Sequence, residues 1–474
     1  MSSGAVAGRR VLALLLVAAA AGCAYFGLRE DDAPAATPSS RLATPLWSPR
    51  RIPQPLVDAV GSQHLQARLD GEMGSNQSCI AVTTGAGVIA ARNSDAAMAP
   101  ASTEKVATAL AALSTLGPDF KYETKAVAPA APANGSVQRL WLVGSGDPGL
   151  ATPEFQALLA SDPRTRDAVT TSLVGLADSI VAAGVRNIPG GIQGDDSRYE
   201  TLRYIPTWKD SYRTDGQVGP LGALTVNHGF SAFRPKPVPV DDPAVFAAGE
   251  LTRLLKDRGV AVGGLPGHSN APGQVTAVAA VQSAPLSQLV ASMLRISDNL
   301  AAELITRELG VKVAGQGATA AGTKVTGDKL RELGIPVEGL ALVDGSGLDH
   351  GDRMSCTTLL SAFTFGARPE FRALWDGLAV AGQTGTLDDE LRGSRLVGKL
   401  RGKTGSLQGV TGLAAVIDLG RSVRFAFIAN GNFSEGNGIA YRSRVAEIVG
   451  TFPDAPPADQ LVPMPTPPSP GAGR

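Results

Sequence analysis

Residues 100–116 read Pro100-Ala101-Ser102-Thr103-Glu104-Lys105-Val106-Ala107-Thr108-Ala109-Leu110-Ala111-Ala112-Leu113-Ser114-Thr115-Leu116. They set a serine and a lysine three places apart at the head of an apolar stretch. Val106, Leu110, Leu113 and Leu116 recur at helical spacing, which predicts a helix from about Ser102. Gly117-Pro118 stops it. Upstream, residues 79–83 (Cys-Ile-Ala-Val-Thr) and 88–91 (Val-Ile-Ala-Ala) read as two short strands around the turn at 85–87. Near the other end, residues 399–408, 412–418 and 423–429 read as three strands with hairpin-like connections, and 438–450 as a closing helix. Strands at both ends of the chain with helices between suit an α+β fold, its sheet edges drawn from distant segments.

The serine and lysine share a face, about 5–6 Å apart at Cβ. Serine is a weak nucleophile until a neighbour takes its proton. A lysine can do so only if desolvation or a second cation depresses its pKa. Free N–H groups at a helix start can hold an oxyanion. Two further triplets supply matching parts. Ser297-Asp298-Asn299 offers a hydroxyl to shuttle a proton and an amide to fix the base and hold a substrate carbonyl. Lys403-Thr404-Gly405 falls in a predicted strand. Lys403 is the candidate second cation, and its ammonium with the Thr404 hydroxyl suits a substrate carboxylate. Gly405 leaves room for a substrate backbone to pair on the strand edge, and Ser406 offers a second oxyanion N–H. Singly, each triplet has a plainer reading as a cap, a turn or a solvated strand end. Their joint occurrence in this order, on a helix start and a strand, is what points to acyl transfer.

The bulk of the chain bounds the rest. With 474 residues it has room for two or three domains. Its 43 basic and 43 acidic residues balance, giving no sign of a nucleic-acid partner. Arg9-Arg10 precedes an apolar run reaching about Leu28, roughly the 20 residues that span a bilayer. It reads as an export signal retained as a membrane anchor over 1–28, with the working domains outside the cytoplasm. Ala20-Ala21-Gly22-Cys23 loosely resembles a lipoprotein box, which makes lipidation of Cys23 the lesser option. Residues 29–50 read as a flexible linker and 453–474 as a disordered Pro-rich tail. Cys79 and Cys356 are open to either a bridge or two buried thiols. His64, His228, His268 and His350 are scattered, none at metal-ligand spacing, so no metal and no cofactor is expected. The separation of 195 positions from Ser102 to Ser297 exceeds what a compact helical region needs, so residues 126–280 read as an inserted mixed α/β domain. The catalytic domain is then 51–125 with 281–452.

The triplets are those of penicillin-binding proteins and class A β-lactamases. Wider stretches resemble the D-alanyl-D-alanine carboxypeptidase/endopeptidase family, the low-molecular-mass class C penicillin-binding proteins of actinobacterial type. They are Pro100–Lys105, Gly144-Ser145-Gly146-Asp147-Pro148, Asp344-Gly345-Ser346-Gly347-Leu348 and Gly382-Gln383-Thr384-Gly385-Thr386-Leu387. The similarity covers roughly residues 75–450. It implies a β-lactamase/transpeptidase-like antiparallel sheet flanked by helices, with the 344–348 loop near the site. It implies an enzyme that trims or un-cross-links peptidoglycan stem peptides through a Ser102 ester, with β-lactam antibiotics as inhibitors. Ser102, Lys105, Ser297, Asn299 and Lys403 would be catalytic, and Thr404, Gly405 and Ser406 would bind substrate. A class A β-lactamase would need a deacylating Glu-x-x-x-Asn loop, and no asparagine occurs between Leu300 and Ala429. A catalytically silent envelope scaffold is the third reading.

Overall fold

The computed structural model describes residues 54–85 and 87–454. The expected anchor, linker, Cys23 and all but two residues of the tail lie outside them. Among the described residues no helix is long and apolar enough to cross a membrane. The chain divides into residues 58–455 and the terminal segments 1–57 with 456–474.

The elements follow in chain order: α1 (Gln54–Met73), β1 (Ser78–Thr83), β2 (Val88–Arg92), a 3₁₀ turn (Ala101–Glu104) and α2 (Lys105–Thr115). Then come β3 (Glu123–Ala128), β4 (Leu140–Val143), α3 (Leu173–Ala182), β5 (Ile192–Asp195), α4 (Pro243–Lys256), β6 (Gly267–His268) and β7 (Thr276–Gln282). The second half holds α5 (Leu286–Ile296), α6 (Asn299–Ala314), α7 (Thr319–Glu332), α8 (Cys356–Phe365) and β8 (Ala379–Val380). It closes with β9 (Leu400–Leu407), β10 (Val410–Asp418), β11 (Ser422–Asn430) and α9 (Glu435–Val449).

One sheet runs β8-β9-β10-β11-β1-β2, antiparallel throughout. Residues at its centre come from positions about 350 apart: Ile80 pairs with Phe427. Both faces are covered. Cys79, Ala81, Ala414, Ala426 and Ile428 face a core shared with α2, α5 and α8, while Ile80, Val82, Leu413, Phe425 and Phe427 face α1 and α9. Side chains alternate between faces with period two, so a strand buried on both sides reads as an unbroken apolar run. That is why Cys-Ile-Ala-Val carries no polar alternation. Helix α2 is buried on every side from Lys105 to Leu113, beyond the single apolar stripe its spacing predicts.

A second sheet runs β6-β5-β4-β3-β7, parallel at β6-β5 and β5-β4 and antiparallel at β4-β3 and β3-β7. Leu140, Leu142 and Ile192 from it pack with Leu176 and Ile180 of α3 and Leu251 and Leu255 of α4 in a core of their own. Cys79 and Cys356 are joined as a disulfide with Cα atoms 5.9 Å apart, closing a separation of 277 residues and tying β1 to the start of α8. Of the two readings open in the sequence, the bridged one holds.

Candidate active site

The turn carrying Ser102 is not the first turn of an α-helix, as the spacing predicts, but a 3₁₀ turn that passes into α2 at Lys105. In a 3₁₀ turn residues i and i+3 eclipse, which stacks Lys105 over Ser102 more directly than an α-turn would. Ala101, the residue before Ser102, is held at φ 48°, a left-handed conformation a non-glycine residue adopts at a cost of about 1–3 kcal/mol. Two glycines hold it there. A Cβ on Gly347 would lie 2.1 Å from the Ala101 carbonyl oxygen. A Cβ on Gly405 would lie 2.7 Å from the Pro100 oxygen and 3.1 Å from the Thr103 nitrogen. Gly405 therefore lets the strand close on the serine turn.

Lys105 is fully buried and its Nζ has three neighbours: Ser102 Oγ at 2.9 Å, Asn299 Oδ1 at 2.6 Å and the Ser346 carbonyl at 2.7 Å. A neutral amine keeps two N–H groups. The two carbonyl oxygens absorb them, which leaves the lone pair aimed at the Ser102 hydroxyl. Burial pulls the Lys105 pKa down to about 8, against the pull of Asp344, Glu303, Asp298 and Glu104, which favour the charged form. Of the two causes open in the sequence, desolvation and a second cation, burial is the one that lowers it. Burial likewise takes Lys403 well below its ordinary value, with the charges of Lys105 and Arg442 adding to it.

Each residue of Ser297-Asp298-Asn299 does a local structural job. Ser297 ends α5 in the left-handed region at φ 60°. Asp298 caps α6 by accepting the Ala301 N–H at 3.0 Å, and Asn299 is that helix's first residue. The Asn299 amide donates to the Gln217 carbonyl at 2.8 Å, so its oxygen is turned to Lys105. Lys403 Nζ donates to Ser297 Oγ at 2.9 Å and to the Thr404 carbonyl at 2.7 Å. β8 pairs with β9 only as far as Gly402, and among the described residues no strand covers that edge beyond it. The Thr404 carbonyl faces the open edge, and strand alternation turns the main-chain groups of Ser406 the same way.

A cavity of about 500 Å³ brings Ser102, Ser297, Asn299, Thr404 and Ser406 onto one surface. Lys105, Lys403 and Gly405 lie behind it as part of the same network. Several of its supports have no short motif. Buried Arg442 on α9 donates to the Gly405 carbonyl at 2.9 Å and to Ser406 Oγ at 2.5 Å, and is itself held by both oxygens of Glu390. Because Arg442 occupies an acceptor site of Ser406 Oγ, that hydroxyl's hydrogen is turned elsewhere. Thr404 donates to Thr386 at 2.8 Å. The 344–348 loop is shaped by Asp344, which accepts from Ser346 N at 2.9 Å, Gly347 N at 2.6 Å, Asp349 N at 2.8 Å and the indole of Trp208 at 2.7 Å. This places the Ser346 carbonyl on Lys105. Gln217, Trp208, Glu390 and Arg442 escape sequence reading because each contact spans tens to well over a hundred residues.

Behind Lys105, oxygens of Glu104, Asp344 and Asp352 lie within 4.8 Å of one another. Both oxygens of Asp344 already accept hydrogen bonds. Burial raises Glu104 well above its usual range and, with Asp344 beside it, takes Asp352 to about 9. With its pKa near 9, Asp352 is a neutral carboxyl near pH 7. Of the histidines, His228 Nε2 lies 3.3 Å from Asp298 Oδ2, and His268 bridges Asp196 and Asp242 in the region of the second sheet.

The antiparallel sheet with its helices is a penicillin-binding fold. Penicillin binding protein 4 of Haemophilus influenzae superposes with a TM-score of 0.68 at 22% identity, over 80% of this chain and 97% of that one. The D-Ala-D-Ala carboxypeptidase 3 (S13) family model matches residues 62–237 and 231–451, and the chain belongs to that peptidase family. A carboxypeptidase of Mycobacterium tuberculosis is 33% identical over 355 residues, 72% of each chain. A D-alanyl-D-alanine carboxypeptidase of an Actinomadura strain is 26% identical over 449 residues, covering 76% of this chain and 80% of that one.

Proposed function

We propose that this family member is a serine DD-peptidase that cleaves the D-Ala–D-Ala bond of peptidoglycan stem peptides, and cross-links by the same steps. The observation that carries the reading is the amine of Lys105, 2.9 Å from Ser102 Oγ with its remaining hydrogens taken by two carbonyls. Lys105 removes the Ser102 proton as Oγ attacks the substrate carbonyl. The main-chain N–H groups of Ser102 and Ser406 receive the oxyanion. The substrate carboxylate meets the hydroxyls of Thr404, Ser406 and Thr386, with Lys403 behind them. Ser297, held by Lys403, shuttles the proton that Lys105 took from Ser102 to the leaving amine, which restores the neutral Lys105. Asn299 fixes Lys105. Water then hydrolyses the acyl-enzyme by the reverse proton path. β-Lactams acylate Ser102 and stay.

The same proposal assigns 51–125 with 281–452 to the catalytic domain and 126–280 to an inserted domain. It holds the enzyme outside the cytoplasm on its N-terminal anchor. The test is fluorescent-penicillin labelling of the full-length protein. A stable label, absent in Ser102→Ala, together with D-Ala release from a pentapeptide, is expected. Rapid drug turnover without a label would mean a β-lactamase. Neither label nor turnover would mean a scaffold.

A further inference from the structure

We propose that Arg164 is a specificity-determining residue, closing the leaving-group end of the cavity against cross-linked peptides. The proposal rests on the DD-peptidase reading. Arg164 belongs to the segment between the helix Pro153–Ser161 and the strand Thr171–Ser172, in the region of the second sheet. Its guanidinium crosses to the far side of the cavity, with Nε 3.1 Å from Asp388 Oδ1 and Nη2 2.5 Å from Asp389 Oδ2. Arg164 and Asp389 line the same cavity as Ser102 and Thr404. The backbone beneath is fixed: Arg164 N donates to Asp162 Oδ1 at 2.8 Å, Thr165 to the Leu159 carbonyl at 2.9 Å, and Val169 N to Ser292 Oγ at 3.1 Å. The span is therefore made by one long side chain between two anchored walls.

Its position relative to the chemistry follows from Thr386. That residue sits in the 3₁₀ turn Gly385–Leu387, its hydroxyl meets Thr404, and the turn leads directly into Asp388 and Asp389. A single D-Ala leaving group ends at its carboxylate, at the hydroxyls of Thr404, Ser406 and Thr386. In a cross-linked dimer the leaving amine belongs to a second stem peptide. The chain continues past those hydroxyls, toward the wall that Arg164 bridges. A small leaving group fits inside the closed bridge, and a continuing one must part it. Arg164 and Asp389 are about half exposed, at 50% and 47%, and ion pairs of that exposure are weak enough to open. Arg164 has no hydrogen bond to Ser102, Lys105, Ser297, Asn299 or Lys403.

The experiment compares full-length wild type with Arg164→Ala, Arg164→Glu and Arg164→Lys on three reactions: D-Ala release from a pentapeptide, cleavage of a purified cross-linked muropeptide dimer, and penicillin acylation. Losing the bridge should raise kcat/KM on the dimer about three- to fivefold, with the other two rates held within about twofold. Arg164→Glu, which the two aspartates repel, should exceed Arg164→Ala, and Arg164→Lys should stay nearest wild type. Dimer and pentapeptide rates that move together, or a dimer rate that does not rise, overturn the proposal. Normal penicillin labelling with no gain on the dimer removes the gate alone. A wild type that penicillin does not label removes the DD-peptidase reading and the gate with it.

Discussion

Lys105 lies behind the cavity at Ser102 and Arg164 lines it, and their surroundings differ in nearly every respect. Lys105 has no exposed surface, three fixed partners and a pKa pulled down to about 8 by burial. Arg164 is half exposed and shares two carboxylates; partial burial opposes its charge, but Asp389 and Asp388 outweigh that and hold its pKa above the ordinary value. Burial makes a charge expensive, and that turns an ammonium into a base. Exposure makes a charge cheap, so the same kind of group becomes a breakable strap. The inner end is over-determined, and the outer end is free to move.

The largest effect should come from the inner end. Lys105→Ala is expected to slow penicillin acylation by about 10²–10⁴-fold, the range of general-base catalysis, measured by rapid-quench labelling. Lys105→Arg should not restore it, because a guanidinium keeps its proton. Full-rate acylation by either variant would show that another group takes the Ser102 proton. Gly347→Ala comes next. Its Cβ would strike the Ala101 carbonyl from a backbone at φ 79°, and a loss of about 2–4 kcal/mol is expected in thermal or urea unfolding. Gly393→Ala provides the comparison. Its φ is 82° but no atom lies within 4 Å, so only conformational strain of about 1 kcal/mol remains. Equal costs for the two would mean that the packing of loop on serine turn contributes little.

The pH dependence sharpens the same contrast. The active form of Lys105 is the neutral amine. Below its pKa of about 8 acylation should fall about tenfold per pH unit, and above it the rate should level off. A rate flat from pH 6 to 9 would rule out a lysine titrating there. Asp352 titrates with the opposite consequence for stability. Its folded pKa, about 9, lies above its unfolded value, so the native state holds a proton that the unfolded chain has released. Stability from this group falls as pH rises from about 4 towards 9. Asp352→Asn keeps an acceptor for Val343 N and removes that loss. It should raise Tm by about a few degrees at pH 8 and by little at pH 4. A Tm gain independent of pH would mean that the carboxyl is not protonated in the native protein.

Much of the inner end was legible because its determinants are local. The Ser102 and Lys105 pair is one turn long, and the strands read at 79–83, 412–418 and 423–429 stand out as apolar runs between turn residues. The 3₁₀ form of the serine turn was not legible, because Gly347 and Gly405 impose it from about 245 and 303 positions away. The packing role of Gly405 is hidden for the same reason: what its missing Cβ accommodates is a distant backbone. Arg442, Glu390, Gln217 and Trp208 carry no periodic or motif signal, and their roles exist only once the fold has brought them together. Cys79 and Cys356 stayed open in the sequence, since only a 5.9 Å separation of Cα atoms decides between bridge and thiols.

The smallest expected effect belongs to the outer end. Asp389→Asn removes one of the two carboxylates on Arg164 and leaves Asp388, the less exposed partner at 15%. An exposed pair of this kind contributes at most about 1 kcal/mol, less after screening by water and salt, so Tm should barely move. Penicillin acylation should stay within about twofold of wild type, since none of the Lys105 contacts changes. The informative readout is the salt dependence of dimer cleavage. At about 1 M salt the screening length is near 3 Å, and wild type should approach Asp389→Asn as the strap loosens without any mutation. Lys105 is buried, so its acylation rate should hold nearly constant over the same range. If salt changes acylation and dimer cleavage alike, the two ends of the cavity are not the independent devices that their burial implies.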